Sequence, residues 1–341
     1  RNFNDKDTIV INNYICSVFH NNYEAILYIE CDQFQQEMLD GVSAFIKEIL
    51  LEWGDFSGNS TIIHKIPSKQ KAMREKRNRT QKVFSNECLH KAFFEKVKQM
   101  PEKVALVYYK EGNKEHITYS CLQEMVLKLV GYLRESGIKE GTLVGVSIPK
   151  GINQIVAVLG ILAVGATYVP IGVHQPIERK KKIIDTGEIR FILTSNEMEF
   201  EGNLGVSVLY LEDGLQAALP VKEVIFPKTN QPAYIIFTSG TTGVPKGVVV
   251  SHNEAHNTIT DINERFNVGK DSIGIAISEL DFDLSVYDIF GLLSVGGTLV
   301  TLSEETKREP VFWKKAIIEA GVNVWNSVPA LFDMLLTTCE S

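Results

Sequence analysis

The chain has 341 residues, 44% of them hydrophobic, which is an ordinary globular composition and enough to bury a substantial core. Its formal net charge of −7 argues against a dedicated nucleic-acid binder, because such proteins usually carry a basic excess. The longest apolar run is too short to span a bilayer, and the first residues lack the layout of a signal peptide.

The five cysteines are odd in number and scattered, with neither a CxxC pair nor a cysteine–histidine cluster at zinc spacing. They are Cys16, Cys31, Cys88, Cys121 and Cys339. We therefore predict free thiols in a reducing compartment, and a cytoplasmic protein that binds no nucleic acid and no membrane.

Residues 1–68 predict a small α/β segment. Residues 8–31 contain two strand-like stretches, TIVINNYICSVF and YEAILYIE. A helix follows, because apolar residues recur at spacings of three and four from Phe34 to Trp53. So short a segment is a poor independent domain, and we interpret it as the remnant of a larger upstream domain. The first residue is Arg and not Met, which also suggests a longer protein.

Residues 69–84 contain a basic run, KQKAMREKRNRTQK, with seven basic residues against the single acid Glu75. Such a run is typical of a nucleic-acid patch or of a solvated linker or connecting helix. It contains no aromatic residue for base stacking, so we predict an interdomain linker.

Residues 85–341 alternate between amphipathic helices and short apolar strands, which predicts an α/β fold with mainly parallel strands. The predicted strands are VALVYY, HITY, LVGVSI, FILT, VLYL, AYIIF, GIAIS, GTLVTL and VNVWN. Helices are predicted through Leu122 to Leu133 and near Val156.

The segment YIIFTSGTTGVPKGVVVSH, from Tyr234 to His252, predicts a phosphate-binding loop between two strands. Glycines let backbone N–H groups converge on an anion, hydroxyls add donors, and Lys246 supplies a positive charge. A Walker A loop is excluded, because Val244 and Pro245 separate the second glycine from the lysine. The alternative is a merely flexible Gly/Thr loop.

With this segment the sequence resembles the adenylate-forming superfamily of acyl-CoA synthetases, luciferases and peptide-synthetase adenylation domains. TSGTTGVPKG resembles its signature phosphate loop. ITYSCLQE, LGILAVGATYVPI and DFDLSVYD stand in the expected order around it. Gly172 departs from the Asp found in many members, although members beside heterocyclization domains often carry Gly.

The resemblance implies the N-terminal large subdomain of the adenylate-forming fold, with mixed sheets and flanking helices, truncated and preceded by a short α/β remnant. It also implies that ATP and a carboxylic acid form an acyl-adenylate and pyrophosphate, with Mg2+ accompanying the triphosphate. The implied phosphate-binding residues are Thr238, Ser239, Gly240, Thr241, Thr242, Gly243 and Lys246.

Asp283 is the residue from which we predict which class of carboxylic acid is the substrate. We expect a buried carboxylate at the start of a helix, and the resemblance implies that it binds the α-ammonium group of an amino acid. The alternative is helix N-capping by Asp283 or by Asp281.

The resemblance places Asp283, Leu284, Tyr287 and Asn326 in the substrate pocket and implies L-cysteine as the substrate. The four-residue spacing predicts Asp283 and Tyr287 on one helix face, and Trp325 and Asn326 on opposite sides of a strand. Leu284 and Tyr287 then shape a small apolar cavity, in which Asn326 offers its amide to the thiol. Alternatively, Tyr287 and Asn326 are ordinary core residues.

His252 and His256 are four residues apart, but no third ligand is near, so we expect structural or surface roles.

The resemblance implies further elements that do not appear before Ser341: a magnesium-binding glutamate, a ribose-binding aspartate and a small C-terminal lobe with a lysine. We therefore expect the fragment alone to be inactive, with no complete catalytic set. The implied partners are a carrier domain bearing phosphopantetheine and an upstream condensation or heterocyclization domain, to which residues 1–68 are similar. The rival functions are an acyl-CoA or aryl-acid ligase and a noncatalytic fragment.

Overall fold

The computed structural model describes residues 7–11, 14–20, 25–30, 41, 68–110, 113–196, 205–217, 219–238 and 245–340. Contacts divide the chain into two compact units, Arg1–Val83 and Phe84–Ser341. The boundary between them falls inside the predicted linker, residues 69–84.

The described residues of the first unit form three strands where the sequence predicted two strand-like stretches. They are β1 (Asp7–Ile11), β2 (Tyr14–His20) and β3 (Ala25–Glu30), and they form an antiparallel sheet in that order. The first predicted stretch divides into β1 and β2. The helix predicted from Phe34 to Trp53 lies outside the described residues.

The basic run forms a helix, α1 (Ser68–Asn78). Every side chain from residue 70 to 83 is exposed, and Lys76 and Arg77 occupy the last turn, where the helix dipole favours positive charge. This agrees with the solvated connecting helix that the sequence suggested.

The second unit contains both of the larger sheets. Its strands are β4 (Val104–Lys110), β5 (Asn113–Thr118), β6 (Leu143–Ser147), β7 (Thr167–Pro170), β8 (Phe191–Thr194), β9 (Ser207–Tyr210), β10 (Pro232–Thr238), β11 (Lys246–Ser251), β12 (Ile273–Ile275) and β13 (Thr298–Leu302). Its helices are α2 (Lys91–Gln99), α3 (Tyr119–Glu135), α4 (Ile152–Ala163), α5 (Ile177–Thr186), α6 (Leu211–Ala217), α7 (His252–Arg265), α8 (Leu284–Val286), α9 (Leu292–Val295), α10 (Pro310–Ala320) and α11 (Pro329–Glu340). A π-helical turn, Tyr287–Gly291, joins α8 to α9.

The larger sheet has six strands in the order β11-β10-β7-β6-β8-β9. All neighbouring strands are parallel except β10 and β11, which form an antiparallel pair at one edge. The prediction of a mainly parallel α/β sheet is therefore confirmed. Strand β7, which was not among the predicted strands, is fully buried near the middle of the sheet.

The smaller sheet has the order β12-β13-β4-β5, again parallel except for the antiparallel edge pair β4 and β5. The predicted strand VNVWN is wrong. Only Val324 forms a bridge, to Gly274, and the Asn323 side chain accepts a hydrogen bond from Ile273 N at 2.8 Å. The side chain thus occupies a backbone donor that a longer strand would need.

The core is centred on α4, which is buried almost all round its circumference. Helix α3 crosses it closely at Gly160, where an added Cβ would lie 2.7 Å from Leu129 Cδ2. Glycine is required there by the close approach of the two helices. Across the described ranges, no helix has both the length and the apolar character needed to cross a membrane.

Candidate functional site

The predicted phosphate loop is carried by the antiparallel pair β10 and β11. Thr238 ends β10 and pairs in register with Lys246, which begins β11. Both side chains are exposed, and Thr238 Oγ1 donates to the Lys246 carbonyl at 3.4 Å. Ser239, Gly240, Thr241, Thr242 and Gly243 lie outside the described residues. The two strands therefore position both ends of the loop.

The loop follows the carboxyl end of β10, which is parallel to β7, β6 and β8. The carboxyl ends of parallel strands share one edge of a sheet, and ligands of open α/β sheets bind outside that edge. The order of the strands thus places the loop where such a fold offers a binding site.

A cluster of charged side chains, in which the two lysines are buried, lies among the loops that follow β6, β12 and β13. Lys307 Nζ lies 2.6 Å from Glu279 Oε1 and 2.6 Å from Glu304 Oε1. The backbone N–H of Lys150 donates to Glu304 Oε2 at 3.0 Å, and Lys150 Nζ donates to the Ser278 carbonyl. These contacts tie the carboxyl edge of the larger sheet to the segment that leads to Asp283.

Sequence reasoning missed this cluster, because its members are scattered over more than 150 positions and form no motif. The available signal was positional: Lys150 comes soon after β6, at the carboxyl end of a buried parallel strand. Burial lowers the pKa of Lys150, and the nearby charges of Asp288 and Glu279 act in the opposite direction.

Asp283 is exposed, which corrects the expectation of a buried carboxylate. It immediately precedes α8 but makes no capping hydrogen bond with its side chain. Asp281 accepts a hydrogen bond from Gln175 Nε2 at 2.8 Å. Burial raises the pKa of Tyr234, in β10, to about 12, and the charge of Asp283 adds to that shift. Asp283 therefore lies near the strand that leads into the phosphate loop.

Gly172 leaves room for the Gln175 side chain beside Asp281. A Cβ at position 172 would lie 3.0 Å from Gln175 Cγ and 3.1 Å from Asp281 Oδ2. An aspartate there, as in many relatives of the resembled superfamily, would bring a second carboxylate close to Asp281. The absence of a side chain at Gly172 therefore leaves the space that the Gln175–Asp281 hydrogen bond needs.

Three of the four predicted pocket residues, Leu284, Tyr287 and Asn326, line two cavities. Tyr287 and Asn326 line one of about 420 Å³, together with Ile262, Phe266, Val268, Asn323, Val324 and Trp325. Leu284 lines another of about 400 Å³ with Phe282, Trp313 and Met334. Leu284 and Tyr287 therefore do not shape one small cavity.

Asp283 and Tyr287 differ in solvent exposure: Asp283 is exposed, whereas Tyr287 is only 8% exposed. The hydroxyl of Tyr287 donates to Asn263 Oδ1 at 3.0 Å. Burial raises the pKa of Tyr287 to about 12, and the charge of Asp288 contributes. The backbone from Asp283 to Tyr287 is right-handed helical, so the two residues differ in exposure although they are one helical turn apart.

The amide of Asn326 is held by protein groups. Its Nδ2 donates to the Leu284 carbonyl at 3.1 Å and to Asp288 Oδ1 at 2.8 Å. Both N–H bonds are then used, so the oxygen Oδ1 is the part of the amide that remains to be offered to a thiol. Asp288 is 2% exposed, and burial raises the pKa of its carboxyl to about 7, against the opposing effects of Asn326 and Lys150.

The predicted structural role of the histidines agrees with the geometry for His252. It is buried at the start of α7, and its Nδ1 accepts from Leu89 N at 3.2 Å. Burial lowers the pKa of His252 to about 4, and burial also lowers that of half-buried His256. Within the described residues, no group of three His, Cys, Asp or Glu side chains is placed to hold a metal ion.

A comparison with protein-family models matches residues 93–341 to the family described as AMP-binding enzyme. The anguibactin system regulator of Vibrio anguillarum is 45% identical over 280 residues, covering 80% of this chain and 26% of that protein. Phenyloxazoline synthase MbtB of Mycobacterium sp. is 38% identical over 270 residues, covering 78% of this chain and 22% of that protein. The chain thus spans about a quarter of the length of these curated relatives.

Among solved structures, the AMPPNP-bound form of the nonribosomal peptide synthetase FmoA3 has a TM-score of 0.77 at 28% identity. The match covers 92% of this chain and 34% of that one. The N-terminal subdomain of Klebsiella oxytoca NpsA has a TM-score of 0.63 at 20% identity, covering 70% of this chain and 60% of that one, and supports the fold alone.

Proposed function

The chain belongs to the family of AMP-binding enzymes, and on that premise we propose that it activates an amino acid, L-cysteine, as an aminoacyl-adenylate for nonribosomal peptide synthesis. A substrate carboxylate oxygen bonds to the α-phosphorus of ATP. The bond from that phosphorus to the bridging oxygen breaks, and pyrophosphate leaves with the electron pair. Catalysis consists mainly of positioning and charge neutralisation.

The phosphate-binding role rests on the strand pair that holds the loop from Thr238 to Lys246. Exposed Lys246 supplies positive charge, and the loop hydroxyls and backbone N–H groups supply donors to the β- and γ-phosphates. Magnesium accompanies the nucleotide. In this proposal its ligands include triphosphate oxygens, because Mg2+ is usually bound through substrate phosphates together with one or two carboxylates.

The choice of an amino acid over other acids is carried by one observation: Asp283 is an exposed carboxylate near β10 without a hydrogen bond or ion pair among the described residues. Such a carboxylate is available for the α-ammonium group of a substrate. The N-capping alternative is weakened, since neither Asp283 nor Asp281 makes a capping contact.

Cysteine is proposed because Tyr287 and Asn326 line one cavity with mostly apolar neighbours. The resemblance supplies the Asp-Leu-Tyr-Asn combination. One methylene is worth only about 1–3 kcal/mol in such pockets, so serine and small apolar amino acids are the natural competitors.

We further propose that the adenylate is passed to a carrier domain. The phosphopantetheine sulfur bonds to the carbonyl carbon, the mixed-anhydride bond breaks, AMP leaves, and the thiol proton is released to solvent. In this proposal the first unit ends an upstream condensation or heterocyclization domain, and the protein works in the cytoplasm.

The test is ATP–pyrophosphate exchange with a panel of amino, aryl and fatty acids. It is run on this chain and on a version that continues with the sequence of a relative from position 342 through the end of the C-terminal lobe, called here the extended chain. Cysteine should give the highest kcat/KM in the extended chain. Preference for an aryl or fatty acid would support the rival ligase, and preference for serine, threonine or a bulky amino acid would refute the cysteine assignment.

A further inference from the structure

Tyr287 and Asn326 line the cavity of about 420 Å³, and the buried carboxylate of Asp288 accepts a hydrogen bond from the Asn326 amide. We infer that Asp288 is a positioning residue for substrate preference: it holds the Asn326 amide so that Oδ1, an acceptor, is the group offered to the substrate side chain. This inference rests on the proposed function and adds a residue outside the four pocket positions that the resemblance supplied.

The orientation of the Asn326 amide is fixed by its two neighbours. The Leu284 carbonyl, 3.1 Å from Nδ2, can only accept a hydrogen bond, so the nitrogen and not the oxygen must face it. Asp288 Oδ1, 2.8 Å away, takes the second N–H bond. No described residue donates to Asn326 Oδ1, so the acceptor remains available to a ligand in the cavity that Asn326 lines.

Asp288 is itself fixed from several sides. Its Oδ2 accepts from Ser278 N at 3.4 Å, and the positive charge of buried Lys150 acts on it. Lys150 in turn donates to the Ser278 carbonyl. The other charges facing Lys150 are Glu279, Glu304 and Lys307. A carboxylate held by a backbone donor and a nearby cation can impose one orientation on the amide.

The consequence is a preference for side chains that carry a hydrogen-bond donor. The thiol of cysteine is a weak donor, and the hydroxyl of serine is a stronger one. The methyl group of 2-aminobutyrate, similar in size to a thiol, donates nothing. A single neutral hydrogen bond contributes about 0.5–1.5 kcal/mol, which corresponds to roughly a 2- to 13-fold preference for cysteine over 2-aminobutyrate.

The first experiment needs no adenylation activity. The chain is labelled with 15N only in asparagine, and the Asn326 side-chain signal is assigned by its loss in Asn326→Ala. We expect that signal to shift with pH through a midpoint near neutrality in the wild type, because the carboxyl of Asp288 has a pKa of about 7. The shift should vanish in Asp288→Asn, and in Lys150→Met the midpoint should rise.

An Asn326 side-chain signal with the same chemical shift in the wild type and in Asp288→Asn, at every pH, would overturn the positioning role. A titration that survives in Asp288→Asn would assign it to Lys150, Glu279, Glu304 or Lys307 and would overturn the inference as well.

The second experiment measures kcat/KM for cysteine and 2-aminobutyrate in the extended chain. Asp288→Asn should reduce the cysteine preference by roughly 2- to 13-fold while the KM for ATP stays unchanged. Equal losses for both substrates would mean a merely structural role and refute the inference. Absence of amino-acid-dependent exchange in the wild type would refute the proposed function, whereas the NMR titration would still decide whether Asp288 positions Asn326.

Discussion

Replacing Lys307 with methionine should destabilise the second unit measurably. The lysine side chain is 4% exposed and lies 2.6 Å from carboxylate oxygens of both Glu279 and Glu304. Breaking a buried ion pair by removing one partner costs about 3–5 kcal/mol. Two features lower that figure here: Glu279 is 38% exposed, and Glu304 keeps its hydrogen bond from Lys150 N. We therefore expect a loss of about 2–3 kcal/mol.

The assay is urea unfolding of the whole chain at pH 7, followed by tryptophan fluorescence. Trp313 is a local reporter, because its Nε1 donates to the Lys307 carbonyl at 2.8 Å. The matched control is Lys315→Met, whose lysine is 57% exposed and 3.9 Å from Glu319, and which should cost about 0–1 kcal/mol. Equal stability of the two variants would refute the reasoning.

The pH dependence of the Lys307 effect has a definite sign. Burial tends to raise the pKa of Glu304, but the contacts of Lys307, Lys150 N and His174 outweigh it and hold that pKa below the usual value of 4.5. A carboxyl whose folded pKa is depressed contributes stability above its unfolded pKa and loses it as the pH falls through the folded pKa. The difference between wild type and Lys307→Met should therefore shrink below about pH 4.5.

Four further changes have distinct expected results. In the extended chain, Lys246→Ala should lower kcat/KM for ATP alike with every amino acid, and an effect confined to one substrate would contradict its phosphate role. Asp283→Ala should lower exchange with α-amino acids more than with their des-amino analogues, and equal losses would exclude the ammonium contact. Gly160→Ala should lower the free energy of unfolding, because overpacking against Leu129 costs about 1–3 kcal/mol. This cost should outweigh the gain in helix propensity of about 1 kcal/mol. A variant that is more stable than the wild type in urea titrations would show that the two helices can move apart without cost. Gly172→Asp should lower the free energy of unfolding by about 1 kcal/mol at pH 7, because the new carboxylate repels Asp281. The loss should be smaller at pH 4, where protonation relieves this repulsion. An equal loss at the two pH values would exclude the repulsion.

The sequence by itself determined the α/β class, most strands of the second unit and the position of the predicted phosphate loop between two strands. These features depend on local signals: short apolar runs, helical periodicity and a glycine-rich loop at fixed spacing. The family followed from the same local motif and its neighbours, and the match over residues 93–341 agrees with it. The strand prediction for VNVWN was wrong because a side chain competed for a backbone donor. The Asn323 side chain accepts the hydrogen bond from Ile273 N, and only Val324 forms a bridge.

Only the tertiary structure decided how the candidate pocket is arranged. Leu284 and Tyr287 face different cavities, Asp283 is exposed, and the Asn326 amide is turned toward Asp288. The cluster around Lys307 likewise joins loops from two sheets. Each of these facts depends on which distant segments meet at the carboxyl ends of the strands. Residue spacing along one chain segment fixes directions only within that segment, so contacts among separate segments become defined only when the sheets and helices pack.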